Sequence, residues 1–261
     1  MALQDLPSCH VELAPPPADP LDSQTAAHLD AQLDAHWLFF NRPTEFISFS
    51  PFEFRVAMGI RLLTLPEQTI TLPHRCNCGR LLLTNKEVVL HSSAGCDQFS
   101  RFSDTTRHES LKHTVASVLR SYGFLLQLEP KLYSYDSTIL HRPDMTVMSP
   151  CPVPVTIDFV VCAQHGEPGV NARQHAQKKN TQHGAAVRRQ QHIFMPFACE
   201  SLGLFDEDVF RFIADLKRTL VRHQRYHFEI DVKRAIAVSL AKSRVSRVIG
   251  SRTDSNGNFP R

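Results

Sequence analysis

LHRPDMTVMS, residues 140–149, and VTIDFVVC, residues 155–162, are two short apolar segments that each contain one aspartate. In the second segment, alternate apolar residues would share one face of a β-strand, and Asp158 would lie on the other face. A carboxylate inside a strand is costly to bury unless it is paired or binds a metal ion. Asp144 follows a proline, which fits the start of a strand better than its centre. The two segments therefore predict neighbouring strands that carry one acid each.

The spacing of the two acids favours a shared site. If the segments pair as antiparallel strands, Asp144 and Asp158 meet at one end of a sheet. Two carboxylates there would form an oxygen-rich site of the kind that Mg²⁺ accepts next to phosphate. The simpler alternative is that both acids are turn or edge residues in contact with water.

Basic residues follow the second aspartate. The segment 170–199 contains no Asp or Glu, and its basic residues are Arg173, Lys178, Lys179, Arg188 and Arg189. A helix is predicted from about Asn171 to about Arg189. A cationic segment without acids is the pattern expected next to a phosphate backbone.

The composition is that of an ordinary globular protein. The chain has 261 residues, of which 42% are hydrophobic and 21% charged, enough for one or two domains with a hydrophobic core. No apolar run approaches the length of a membrane span, and the N-terminus lacks the regions of a signal peptide. We therefore expect a protein of the cytosol or nucleus without a membrane partner.

Cysteines and a histidine form a second pattern. The chain has seven cysteines, an odd number that argues for reduced thiols. Their order predicts a structural Zn²⁺ site of the zinc-knuckle type, with Gly79 easing the turn between two ligands. Its ligands would be Cys76, Cys78, His91 and Cys96. His74 is an alternative to His91, and free thiols beside a surface histidine are the alternative to a metal site.

The surrounding sequence predicts five parts. They are a disordered leader (1–22), a helical linker (23–72), a CCHC zinc knuckle (73–104), an α/β domain (105–250) and a polar tail (251–261). In the linker, helices are predicted over 23–40 and 46–65, the second with Ser50-Pro51 at its start.

Within the α/β domain, helices and strands are predicted in a defined order. Strands are expected over 124–133, 139–148, 153–162 and 192–198, and helices over 105–122, 171–189, 206–223 and 229–248. Pro196 indicates that the last strand lies at a sheet edge or contains a bulge. Arg107 and His108 are candidates for phosphate contact, and a solvated first helical turn explains them equally well. Glu129 is a further acidic candidate, for which a structural role is the simpler interpretation.

This order of helix, three strands, helix and strand, with acids on the second and third strands, resembles the PD-(D/E)xK nuclease superfamily. A narrower resemblance covers about residues 46–225. It is to the restriction-like endonuclease at the end of site-specific non-LTR retrotransposon polyproteins, which includes a zinc knuckle. The residues that carry it are Cys76-x-Cys78-Gly, His91-x4-Cys96, Arg107-His108, Gly123-Phe124, Glu129-Pro130, Arg142-Pro143-Asp144, Asp158, the lysine pair and Phe194-Met-Pro-Phe-Ala-Cys-Glu200-Ser-Leu-Gly203.

The resemblance implies a restriction-endonuclease-like core and a DNA-nicking activity that depends on Mg²⁺ or Mn²⁺. The two aspartates would bind the metal, and one lysine downstream would complete the catalytic site. Counting from Asp158 favours Lys178 as that lysine. The family's Lys-x-x-Lys-Tyr pattern favours Lys179, with Gln182 and His183 at the positions where Lys and Tyr are usual.

The expected partner is DNA, with the element's RNA as a second candidate, and the expected location is the nucleus. The predicted nucleic-acid contacts are Arg107, His108, Arg142, Arg173, Arg188 and Arg189. The sequence contains no Tyr-x-Asp-Asp polymerase signature, so the reverse transcriptase that precedes this domain in full elements is not part of it. The alternative function is a nucleic-acid-binding protein whose nuclease site has decayed.

Overall fold

The computed structural model describes residues 49–67, 69–93, 96, 98–99, 104–133, 140–163, 167 and 169–250. The predicted leader, the helix predicted over 23–40 and the predicted polar tail lie outside these residues.

The described chain begins with helix α1 (Pro51–Arg61). Its N-cap is Ser50, as the Ser-Pro pair predicts. The Ser50 hydroxyl accepts a hydrogen bond from the backbone N–H of Glu53, and the Glu53 carboxylate accepts one from the N–H of Ser50. This reciprocal capping box, together with a proline in the first turn, explains why the helix starts here.

A small module follows α1. It consists of an antiparallel pair, β1 (His74–Arg75) and β2 (Leu81–Leu82), and a helix, α2 (Asn85–Ser93). We did not predict α2, although Thr84 and Glu87 form a second capping box at its start.

The centre of the fold is a four-stranded mixed sheet in the order β3-β6-β7-β8. Its strands are β3 (Leu125–Leu128), β6 (Met145–Ser149), β7 (Val155–Cys162) and β8 (Ile193–Glu200). The first three pair antiparallel, whereas β7 and β8 are parallel. Strand β8 is an edge strand, as Pro196 predicts. The short strands β4 (Leu132–Tyr133) and β5 (Leu140–His141) pair separately with each other.

Two of the predicted strands are shorter in the structure because of local backbone features. The strand predicted over 124–133 is interrupted after β3, where Glu129 adopts a positive φ of 49° immediately before Pro130. The strand predicted over 139–148 is interrupted at Pro143, which has no N–H to donate to a sheet.

Helices cover both faces of the sheet. On one face the core packs against α3 (Asp104–Ser121), α5 (Glu207–Thr219) and α6 (Arg222–Gly250). Helix α4 (Val170–Arg189) covers the other face. The contact between α4 and the sheet consists of small side chains, from Cys162, Ala172, Ala176 and Ala198. They let the helix approach the strands closely, so that polar residues further along α4 contact β7.

Helix α6 contributes to two hydrophobic cores. Phe228, Val232 and Ile236 pack in the core beneath the sheet, whereas Val245 and Val248 pack in the core that contains α1 and the small module. The helix begins about two turns earlier than predicted, because no Gly or Pro interrupts its polar first residues. None of the described helices combines the length and the apolar composition that crossing a membrane requires.

Candidate active site and metal centre

The two aspartates singled out in the sequence lie side by side in the fold. Asp144 immediately precedes β6, and its backbone N–H donates to the carbonyl of Ile157 in β7. Asp158 is the next residue along β7, and the two carboxyl groups are close enough to shift each other's pKa. Both residues are buried, at 8% and 3% exposure. They are therefore not the water-facing turn residues of the simpler interpretation.

Asp144 is held by donors from two directions. Its Oδ2 accepts a 2.6 Å hydrogen bond from the backbone N–H of Phe159 and lies 2.9 Å from Nε2 of His108 on α3. Burial raises the pKa of Asp144, but the contacts with His108, Asp158 and Phe159 outweigh it, so that the pKa lies below its ordinary value. The contact with the Asp144 carboxylate raises the pKa of His108. Asp144 is thus the ionised member of the pair.

Asp158 has basic partners on α4. Its Oδ2 lies 3.0 Å from Nζ of Lys179 and 3.3 Å from Nε2 of His183. Burial, followed by the contact with Asp144, raises the pKa of Asp158 to about 7, although Lys179 acts in the opposite direction. Near neutral pH this pair can hold a proton between its two carboxyl groups, and a cation could take the place of that proton.

The structure distinguishes the two lysines of the predicted pair. Lys179 lies over Asp158, whereas Lys178 is exposed to solvent. His183, one helical turn after Lys179, also contacts the carboxylate and was not among the predicted site residues. The signal that could have found it is the i,i+4 spacing from Lys179, which puts both side chains on one face of α4.

The predicted nucleic-acid contacts do not form one surface. Arg107 is buried, and its guanidinium donates to the carbonyl of Val161 at 3.0 Å, so its side chain belongs to the interior. The His108 side chain contacts the carboxylate of Asp144. Arg142 and Arg189 are exposed.

Arg173 and Arg188 lie on another flank of α4. They line a groove of about 580 Å³ between α4 and the N-terminus of α5. Nη1 of Arg188 donates to the side chain of Asn180 at 3.2 Å. The opposite wall of the groove carries Asp206, Glu207 and Asp208 together with Arg211, which pairs with Glu207 and Asp208. Arg173 and Arg188 therefore face a wall of mixed charge.

The four predicted zinc ligands come together in the small module. Their ligand atoms all lie within 4.8 Å of one another. Sγ of Cys76 is 3.7 Å from Sγ of Cys96, and Sγ of Cys78 is 3.5 Å from Nε2 of His91. Zn–S bonds of about 2.3 Å at tetrahedral angles would separate two sulfurs by about 3.8 Å. The cluster can therefore hold a metal ion such as zinc.

Local geometry explains how this cluster forms. Cys76 and Cys78 lie in the tight turn between β1 and β2, where the N–H of Gly79 donates to the carbonyl of Cys76. Gly79 has a φ of 92°, a conformation that favours glycine. The third cluster residue in sequence, His91, comes from α2, and His74 is not part of the cluster.

The pKa values of two thiols of the cluster are shifted in opposite directions. Burial raises the pKa of Cys76 to about 12, whereas the backbone N–H of Arg80 lowers the pKa of Cys78. Burial also lowers the pKa of His91, which favours the neutral form that binds metals. A divalent cation among these groups would favour the thiolate at both cysteines. The described cysteines are all free thiols.

The described residues thus contain a soft-ligand cluster in the small module and a buried pair of carboxyl groups in the sheet. A hydrogen bond connects the small module to the sheet. Oγ of Ser201, just after β8, donates to the carbonyl of Ser93 at the end of α2. Neither protein-family models nor curated proteins gave a match to this chain.

Proposed function

We propose that this protein is a metal-dependent DNA endonuclease that nicks one strand. The observation that carries the proposal is the buried contact between Asp144 and Asp158, with the ammonium group of Lys179 beside it. Buried carboxylates that share a site with a lysine are costly for stability, and such arrangements occur preferentially where chemistry needs them.

The fold supports this proposal. Helix α3, strands β3, β6 and β7, helix α4 and strand β8 follow one another in the order of the PD-(D/E)xK core. Asp144 lies at the start of the second of these strands, and Asp158 lies within the third. Acids at these two strands are also typical of that superfamily. We therefore propose a restriction-endonuclease-like core, with the cysteine cluster as a zinc knuckle attached to it.

The donor set of the acidic pair fits a hard cation. Asp144 and Asp158 would hold Mg²⁺ or Mn²⁺, which prefer carboxylate oxygens and phosphate. When bound, such an ion supplies Lewis acidity toward a phosphoryl oxygen and lowers the pKa of a bound water.

The protein's own residues would orient and stabilise the reacting groups. His108 and the N–H of Phe159 keep Asp144 ionised and fix its carboxylate. Lys179 is the basic residue that contacts the pair from α4, and it would stabilise the negative charge that develops on the phosphate. The helix α4 contains no acidic residue, which favours a polyanionic substrate along this side of the site.

A nicking assay on supercoiled plasmid DNA tests the proposal. We expect the wild-type protein to produce nicked circles with Mg²⁺ or Mn²⁺ and none with EDTA. Asp144→Asn and Asp158→Asn should lose at least about 10²-fold in nicking rate, since each removes an anionic oxygen donor. Asp158→Asn should bind DNA as tightly as wild type or more tightly, because it removes negative charge next to phosphate.

The control is the zinc content and circular dichroism of both variants, which should match those of the wild type. A wild-type protein that never nicks DNA with either metal would contradict the enzyme proposal.

One observation favours the alternative of a nucleic-acid-binding protein with a decayed site. Both carboxyl groups already have basic side chains as partners, His108 for Asp144 and Lys179 with His183 for Asp158. In that case the protein binds DNA, or the RNA of the retrotransposon element, without cleaving it. A gel-shift titration performed beside the nicking assay distinguishes the two functions. Either function on DNA would be carried out in the nucleus.

A further inference from the structure

A lysine is buried next to the acidic pair. Lys112 is on α3, and only 1% of its side chain is exposed. Its Nζ lies 2.7 Å from Oε2 of Glu109 and 2.8 Å from Oε1 of Glu129. Lysine is almost never buried to this extent unless it is paired, so the two contacts are what keep it in the interior. Lys112 does not itself contact either aspartate, and the proposed reaction does not use it.

The contacts of Lys112 continue on both sides until they meet at Asp144. On one side, Glu109 Oε1 lies 3.3 Å from Nδ1 of His108, whose Nε2 lies 2.9 Å from Oδ2 of Asp144. On the other side, the backbone N–H of Glu129 donates to the carbonyl of Asp144 at 2.9 Å. His108, Glu109, Lys112, Glu129 and Asp144 therefore form a closed ring of polar contacts, which we call the polar ring.

We propose that the polar ring positions Asp144, with Lys112 and Glu129 as its positioning residues. The ring holds Asp144 at two points, since His108 contacts the carboxylate and Glu129 contacts the backbone carbonyl. The inference rests on the proposed function in one respect, namely that Asp144 serves as a cation ligand. The positioning itself can be measured without metal or DNA.

The backbone of Glu129 shows why its contact with Lys112 matters. Its φ of 49° lies in the left-handed region, which is unfavourable for a residue with a side chain. The N–H of the same residue donates to the carbonyl of Asp144, at the point where the chain leaves the pairing of β3 with β6. The ion pair with Lys112 holds the Glu129 side chain, and without it the residue can relax toward an ordinary φ and release the Asp144 carbonyl.

The charge of Lys112 also affects the surroundings of Asp144. Glu109 and Glu129 are both acidic, and Lys112 lies between them. Without the ammonium group, two unneutralised carboxylates would remain near Asp144 and would draw His108 away from it. The ring thus keeps His108 available to the Asp144 carboxylate.

The test uses loss and rescue variants in the full-length protein. Glu129→Ala removes the side-chain contact, and Glu129→Gln retains an oxygen that can accept a hydrogen bond from Lys112. This position is suitable because 62% of the Glu129 side chain is exposed, so its removal leaves no cavity in the core. Lys112→Met and Lys112→Arg form a second pair. The matched control is Lys131→Met, which removes an exposed lysine from the loop that contains Glu129.

The first measurement is amide hydrogen exchange in the metal-free protein. The amide of Phe159 is bonded to the Asp144 carboxylate, and the amide of residue 129 is bonded to the Asp144 carbonyl. We expect both amides to exchange about tenfold faster or more in Glu129→Ala and Lys112→Met, with partial recovery in Glu129→Gln and no change in Lys131→Met.

The second and third measurements are Mn²⁺ affinity, determined by electron paramagnetic resonance, and plasmid nicking. Loss of a residue that orients a metal ligand weakens metal binding by about 10- to 100-fold. We expect that loss in Glu129→Ala, together with a lower kcat and a KM for DNA that changes by less than about twofold.

The outcomes separate this inference from the proposed function. Unchanged exchange of the Phe159 amide and unchanged Mn²⁺ affinity in Glu129→Ala would overturn the positioning role of the ring. If the wild-type protein neither binds Mn²⁺ nor nicks DNA, but the Phe159 amide still exchanges faster in the variant, the ring positions Asp144 and the proposed function is overturned. If Lys112→Met does not fold, the comparison of Glu129→Ala with Glu129→Gln decides the question.

Discussion

Two adjacent lysines on α4 provide a direct test of the acidic pair. Lys179 contacts Asp158, whereas Lys178 is solvent-exposed on the same helix. We expect Lys179→Met to lower the single-turnover nicking rate by at least about 10²-fold, because it removes the positive charge nearest the reacting phosphate. Lys178→Met should keep that rate within about threefold of wild type at saturating protein, since its contribution is to binding.

The two variants carry the same change in charge and differ by one position, so each is the control for the other. Equal losses in both would mean that the lysines act only through the general positive charge of α4. In that case the contact between Lys179 and Asp158 would have no role in the reaction.

Helices α5 and α6 are joined by an ion pair that makes a testable contribution to stability. Glu229 on α6 lies 2.9 Å from Nζ of Lys217 on α5 and 2.6 Å from Nζ of Lys233. The contacts with Lys217 and Lys233 lower the pKa of Glu229 from 4.5 to about 2. A carboxyl group whose pKa is lowered by folding stabilises the protein above its unfolded-state pKa and loses that effect as the pH falls.

We therefore expect Glu229→Gln to lower the free energy of unfolding at pH 7 by about 1 kcal/mol. The side chain is about a third exposed, so solvent screening keeps the effect small. The difference from wild type should shrink as the pH falls from 4.5 toward 2, which urea denaturation at several pH values can measure. Glu207→Gln is the control, because its ion pair with Arg211 is largely exposed and should matter little at any pH. A difference that stays constant with pH would contradict this explanation.

The small module and the sheet are connected through α6, so loss of metal should be felt beyond the ligands. Arg247 in the last turn of α6 donates to the carbonyl of Cys96, and Val245 and Val248 pack in the core next to the module. We expect Cys78→Ser or chelation to increase amide exchange in α2 and in the second half of α6. Exchange in β6 and β7 should change little, because metal binding and folding are linked mainly within the module.

Zinc per chain, measured by atomic absorption, should fall from about one to near zero in Cys78→Ser. Cys151→Ser is the matched control, since Cys151 packs against the sheet core and not in the module. Equal zinc in the wild type and Cys78→Ser would contradict the metal site.

Local patterns in the sequence were sufficient for much of this fold. Strand β7 with Asp158, strand β6 with Asp144 just before it, the helix that carries the lysine pair and the edge position of β8 all follow from periodicity, proline placement and capping residues. Part of the cysteine cluster follows from ligand spacing, because a tight turn with a glycine brings Cys76 and Cys78 together. His91 and Cys96 reach that turn from 13 and 20 positions further along the chain, which spacing alone does not ensure. The other features depend on residues that are near one another along the chain.

The packing of distant segments decided the chemistry around the acidic pair. Asp158 is buried because α4 covers its face of the sheet, and only that packing distinguishes Lys179 from Lys178. His108 reaches Asp144 across 36 positions of sequence, and Lys112 reaches Glu129 across 17. Periodicity reports which face of an element is apolar but does not report which elements that face will meet. The partners of buried charges are therefore set by long-range contacts, which no local pattern in this sequence encodes.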